Sequence, residues 1–206
     1  MGDWRYVQLN SFTFHIKGCK VSVNFYFFAL LCVISWFDTS GMLLFGILSA
    51  TLHELGHLTA MLLIPGQAPA AVSVTPFGIR IGGAPLAEFM DGSITVLAAG
   101  STVNFLLGAA LLPFSPQPAT MNFVMGAMNL LPVTMLDGGG IARLLLCKVF
   151  RPSTAEKLLT ALSLTVLSGL SLLGVAVLFR TRYNFTLLGM SLWMLFSLLL
   201  RLSKNQ

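Results

Sequence analysis

A run of apolar residues from Gly41 to Ile64 is long enough to cross a bilayer, and His53, Glu54 and His57 interrupt it. A charged group near a bilayer centre costs on the order of 3 kcal/mol on insertion scales, so an intramembrane ionisable cluster marks a functional site by default. The spacing narrows the chemistry. Helical residues four apart are separated by about 6 Å of rise and roughly 40° of rotation, which sets His53 and His57 on one face, able to grip one metal ion. Glu54 lies beside that face, about 60° from His57. The segment His53-Glu54-Leu55-Gly56-His57 therefore reads as H-E-x-x-H, in which the histidines bind zinc and the glutamate is the general base.

The rest of the chain supports a membrane setting. Of its 206 residues 56% are apolar and only 9% charged, and the mean hydropathy is +0.85, values that describe a polytopic membrane protein. Six candidate spans follow: Val21 to Phe37, Gly41 to Ile64, Ile94 to Phe114, Ala119 to Leu136, Leu158 to Phe179, and Tyr183 to Leu202. Each is near the roughly 17–25 residues that a spanning helix needs. The expected fold is all-α, about six transmembrane helices with a small β element. The expected organisation is a single membrane domain over 1–206, with a core near 21–151 and accessory helices near 155–203. The accessory pair carries no ionisable residue in its middle, which suits it to supporting the site or controlling access.

Two segments between spans alternate like strands: Phe12 to Lys17, and Val72 to Thr75 continuing as Phe77 to Ile81 around Pro76. They read equally as a small sheet or as amphipathic connectors at the membrane surface. His15 on the first of them reads as an ordinary polar strand position. Gly100, Asn104 and Gly108 fall four apart on the third span, a small face on which another helix can approach closely and Asn104 can hydrogen-bond across. The three cysteines, Cys19, Cys32 and Cys147, are scattered and odd in number, so neither a disulfide framework nor a thiolate metal site is expected.

The net charge of +5 is spread along the chain without a basic stripe, so it signals topology and not nucleic-acid binding. With the N-terminus in the cytoplasm, ten of the twelve basic residues lie inside and only Arg180 and Arg182 outside. That orientation puts the His-Glu-His cluster in the inner half of the second span. About twenty mixed residues precede the first span with no small-x-small cleavage pattern after it, so the first span is expected to be retained.

Catalytic zinc usually takes three protein ligands and a water, so two histidines leave a vacancy. Of the seven acidic residues only Glu54 and Asp137 fall at the inner half of a span. Asp137 sits in Asn129-Leu130-Leu131-Pro132-Val133-Thr134-Met135-Leu136-Asp137-Gly138-Gly139-Gly140, where proline and glycines break regular helix. Irregular backbone at membrane depth is tolerated where it is buried or lines a cavity. The other reading of Asp137 is an Asp-Gly turn ending a helix at the membrane surface.

With both segments in view the chain resembles the site-2 protease family, the intramembrane zinc metalloproteases. That family pairs H-E-x-x-H with a later N-x-x-P...L-D-G-G, matched here by Asn129, Pro132, Leu136, Asp137, Gly138 and Gly139. Its A-G-P-x-x-N pattern appears as Ala99-Gly100-Ser101-Thr102-Val103-Asn104, with serine in place of proline, and Thr134 stands where a second proline is common. Among branches it is most similar to the small bacterial six-span type that includes the sporulation sigma-factor-processing protease, without a CBS extension or an insertion long enough for a PDZ domain.

The resemblance implies zinc held by His53, His57 and Asp137, with Glu54 as the catalytic base. It implies substrate contacts for Asn129, Asn104 and Pro132, although Asn129 reads equally as a cap on the broken helix. It further implies hydrolysis of peptide bonds in or near transmembrane segments, at a site facing the cytoplasm of a bacterial cell membrane. The expected partners are a membrane-anchored protein or peptide substrate, the bilayer, and an inhibitory membrane protein. The alternatives are a membrane ion or metal transporter and an inactive protease-like regulator.

Overall fold

The structure is a computed structural model and describes residues 11–16, 19–38, 41–64, 69–75, 78–83 and 90–203. Its elements in chain order are β1 (Ser11–Ile16), β2 (Cys19–Asn24), α1 (Phe25–Phe37), α2 (Met42–Leu63), β3 (Pro69–Thr75), β4 (Gly78–Gly83), α3 (Met90–Leu111), α4 (Pro116–Asn129), α5 (Asp137–Val149), α6 (Pro152–Thr181) and α7 (Thr186–Ser203). The chain forms two compact units, 1–126 and 127–206.

In the first unit the four strands form one sheet in the order β1-β2-β3-β4. The outer pairs are antiparallel, and β2 runs parallel to β3. The two segments read from the alternation form β1, and β3 with β4, all in one sheet; Lys17, Pro76 and Phe77 lie outside the described residues. β2 was not expected, because its residues were counted into the first span. The β1–β2 register explains how those residues serve a strand: Phe12 faces Val23 and Phe14 faces Val21, while Thr13 faces Ser22 and His15 faces Lys20. Alternation of this kind gives one apolar and one polar face, the pattern of a strand.

Among the described residues three helices are long and apolar enough to cross a membrane, over Ser93–Leu111, Pro152–Thr181 and Thr186–Ser203. Six spans are not confirmed, and two of the expected ones are divided or shorter in the structure. Residues 21–37 divide between β2 and the 13-residue α1. The expected fourth span, 119–136, stops at Asn129 as the 14-residue α4. At 1.5 Å per residue such helices reach about 20 Å, short of a hydrocarbon core of about 30 Å. α2 has the length, with 22 residues, but its ionisable cluster lowers its hydropathy. Asp38 caps α2, its Oδ2 accepting the Leu43 N–H at 2.8 Å.

Small side chains let the helices of this unit approach one another. A Cβ on Gly56 would stand 3.0 Å from the Ala99 carbonyl oxygen on α3, and one on Gly108 would stand 3.0 Å from the Phe123 ring on α4. Close approach through glycine is how helices associate where lipid removes the hydrophobic drive between them.

In the second unit α6 and α7 pack antiparallel. Gly174 lies against Leu188, and the Ser171 hydroxyl donates to Ser191 Oγ at 3.1 Å. The inward face of α6 is Ala155, Leu159, Ser163, Leu167 and Gly174. Its outward face carries large apolar groups such as Leu172 and Phe179. Three of these five inward residues are small, and bulky apolar groups face outward, which suits a lipid surround.

Candidate metal centre

Helix α2 brings His53 and His57 together, as their spacing requires, and both are buried. Their Nε2 atoms stand 3.1 Å apart. The other nitrogen of each ring is engaged: His57 Nδ1 lies 2.7 Å from the Val96 carbonyl oxygen, and His53 Nδ1 lies 2.6 Å from Asn104 Oδ1.

These contacts fix the tautomers. A backbone carbonyl only accepts, so His57 must carry its proton on Nδ1. The Asn104 amide is oriented by its other side, where Nδ2 lies 3.2 Å from the Ser49 carbonyl oxygen and 3.0 Å from Asn122 Oδ1, both acceptors. Oδ1 therefore faces His53, whose proton also sits on Nδ1. With Nδ1 of each ring engaged in this way, the two Nε2 atoms are brought together, an arrangement that a cation between them would suit. Tetrahedral zinc with Zn–N bonds of about 2.0–2.1 Å separates two nitrogens by roughly 3.3 Å, close to the spacing found. Metal-bound histidines commonly donate their second N–H to a carbonyl or amide oxygen in this way. The donor set fits the zinc that the resemblance implies.

Gly100 makes room for the pair. A Cβ there would come within 2.6 Å of His57 Nε2 and 2.8 Å of His53 Nε2. The glycine is thus required by the imidazoles themselves, not by helix packing alone.

Asn104, expected to contact substrate, has 0% exposure, and its amide is hydrogen-bonded on both sides. Its predicted hydrogen bonding across helices is present and aims at a histidine. Ser49 and Asn122, which complete the network, were not singled out from the sequence. They look like ordinary polar residues in apolar runs until α2, α3 and α4 are brought together. Ser101, where the family pattern has proline, is 1% exposed and its hydroxyl has no hydrogen-bond partner among the described residues. Glu54 is half-buried on α2, next to His53.

Asp137 belongs to the second unit and opens α5; it does not follow the end of a helix directly. α4 ends at Asn129, and residues 130–136 are irregular. A carboxylate in a first helical turn is favoured by the helix dipole. The irregular stretch is tightly held. Leu136 N–H donates to the Val133 carbonyl at 2.8 Å, and Val133 is buried with Leu167, Met194 and Leu198. Ser163 Oγ accepts the Thr134 N–H at 3.0 Å and donates to the Leu159 carbonyl at 2.7 Å. A proline at 134 would have no N–H to give, which accounts for the absence of proline there. Gly138 and Gly139 are packed against this backbone so closely that a Cβ on either would strike the carbonyl of Leu130 or of Val133. Asn129 and Pro132 are both half-buried at the start of the stretch.

Residues 114–172 match the model of peptidase family M50. The fold matches a solved structure described as the site-2 protease from Methanocaldococcus jannaschii, with 23% sequence identity and a TM-score of 0.61, over 91% of this chain and 93% of that one. No curated protein matches the chain in sequence.

Proposed function

With membership of the site-2 protease family supported by the segment match and the shared fold, we propose that this chain is an intramembrane zinc metalloprotease. It hydrolyses a peptide bond in or near the membrane-spanning segment of a membrane-anchored protein. The observation that carries the reading is the pair of buried imidazoles whose Nε2 atoms stand 3.1 Å apart. Two histidines without a metal would be an expensive way to fill a buried site.

In this reading His53, His57 and Asp137 hold the zinc. Bound there, zinc supplies Lewis acidity, polarising the substrate carbonyl and making water more acidic. Glu54 accepts the proton of the attacking water and returns it to the leaving nitrogen as the C–N bond breaks, so no net proton is consumed. Asn129 and Pro132 contact the substrate backbone. A helical substrate hides its amides in its own hydrogen bonds, and an extended segment added to an edge of the four-stranded sheet gains replacement bonds. The site faces the cytoplasm of a bacterial membrane, in line with the distribution of basic residues.

The test is metal content of the detergent-purified protein by elemental mass spectrometry, for wild type, His57→Ala and Asp137→Ala, followed by a cleavage assay of Glu54→Gln. About one zinc per chain, lost in both ligand variants, is expected. Glu54→Gln is expected to keep the zinc and lose turnover by about 10²–10⁴-fold. Cleavage that survives Glu54→Gln would overturn the mechanism, and a folded wild type that takes up no zinc would favour a transporter or an inactive regulator.

A further inference from the structure

The mechanism uses neither Ser49 nor Asn122, yet both are buried, with 1% and 4% exposure, among helices that are otherwise apolar. Buried polar groups cost stability unless they are fully hydrogen-bonded, and a complete network specifies one arrangement of its members. This network has a direction. It starts at the Pro118 carbonyl, which can only accept, and to which Asn122 Nδ2 donates at 2.9 Å. That contact turns Asn122 Oδ1 the other way, where it accepts from Ser49 Oγ at 3.1 Å and Asn104 Nδ2 at 3.0 Å. Asn104 Nδ2 also donates to Ser49 Oγ at 3.0 Å, so its Oδ1 is left for His53 Nδ1.

Reversing either amide would set donor against donor or acceptor against acceptor at two or more contacts. Polarity is fixed at two backbone carbonyls, Pro118 on α4, which orients Asn122, and Ser49 on α2, which lies 3.2 Å from Asn104 Nδ2; Asn122 and Asn104 together pass it to an imidazole on α2. His57 needs no such relay, because its Nδ1 meets the backbone oxygen of Val96, which cannot rotate.

We propose that Asn122 is a remote positioning residue: acting through Asn104, it holds His53 as the Nδ1–H tautomer, with Nε2 as the ring nitrogen that ligates metal. The inference rests on reading His53 as a zinc ligand, but the tautomer is observable with or without metal. The protein has three histidines, His15, His53 and His57, so its ring nitrogens can be resolved by ¹⁵N solid-state NMR of histidine-labelled chain in lipid bilayers. Spectra are recorded after chelation and after zinc is restored, for wild type, Asn104→Leu, Asn122→Leu and Ser49→Ala, with zinc affinity measured by chelator competition.

Wild type is expected to show His53 as the Nδ1–H tautomer. In Asn122→Leu and Asn104→Leu the His53 signals become a mixture while those of His57 do not change. Zinc binding is expected to weaken about 10–100-fold in Asn104→Leu and less, by about 3–10-fold, in Asn122→Leu. Ser49→Ala keeps the helix packing and is expected to shift His53 in the same direction by a smaller amount, which decides the matter if Asn122→Leu does not fold.

Two results overturn the proposal: an unmixed His53 tautomer in all three variants, or His53 and His57 changing together, the mark of a merely structural role. If wild type takes up no zinc, the metalloprotease reading fails, while the chelated spectra still decide the relay.

Discussion

The two units hold the proposed metal ligands by opposite means. In the first, His53 and His57 project from a regular helix, and the backbone of α2 does nothing unusual to place them. What makes the pair specific lies around it: the Val96 carbonyl, the Asn104 amide and the space left by Gly100. In the second, Asp137 depends on the backbone itself, which leaves α4 at Asn129, turns through 130–136 and re-enters helix. Side chains around that turn act chiefly as fasteners, Val133 into the core and Ser163 onto Thr134. A ligand on a regular helix is tuned by its neighbours, whereas a ligand on broken backbone is only as good as the clamps on the chain.

If this contrast is right, methyl groups added at glycines of the two units should have different consequences. The largest effect is expected at Gly139→Ala, with Gly138→Ala close behind. Each places a Cβ on backbone that cannot move without unseating Val133, so a loss above about 4 kcal/mol is expected, read as failed folding or a collapsed unfolding midpoint in detergent. Gly100→Ala should instead leave the unfolding midpoint nearly unchanged, because side-chain rings can give way. Its zinc affinity, measured by chelator competition, should fall about 10–100-fold. If Gly100→Ala unfolds the protein while retaining zinc, the contrast is broken.

A smaller effect is expected at Ser163→Ala, which leaves the Thr134 N–H unpaired and should cost about 1–3 kcal/mol in denaturant unfolding without removing the glycine clamps. The smallest is Ser101→Ala. Its hydroxyl is buried without a partner among the described residues, so removing it should be neutral or stabilise by about 1 kcal/mol in the same measurement. A clear loss at Ser101→Ala would show that the hydroxyl has a role in this chain that a proline could not fill.

The histidine pair was legible because helical periodicity is local: four residues of separation decide a shared face whatever packs on it. The strands at Ser11–Ile16 and Pro69–Thr75 were legible from alternation for the same reason. β2 was hidden because Val21 and Val23 serve an apolar sheet face as well as they would serve the start of an apolar helix, and its pairing with β3 is set by residues some fifty positions away. The end of α4 was hidden because Leu130, Leu131 and Val133 are as apolar as the helix before them. Only the fold-back onto Gly138 and Gly139 shows why the helix cannot continue.

The sequence by itself determined the chemistry available: two imidazoles on one helical face with a carboxylate beside them, a second carboxylate among helix breakers, and an apolar composition suited to lipid. Those follow from residue type and short spacing. The tertiary structure alone decided how that chemistry is held. It made Asn104 a partner of His53, gave Ser49 and Asn122 a part in the network, and made Gly100 a space for imidazoles. Hydrogen-bond direction and van der Waals contact act between atoms close in space, and the spacing of residues along a chain does not record which distant atoms those will be.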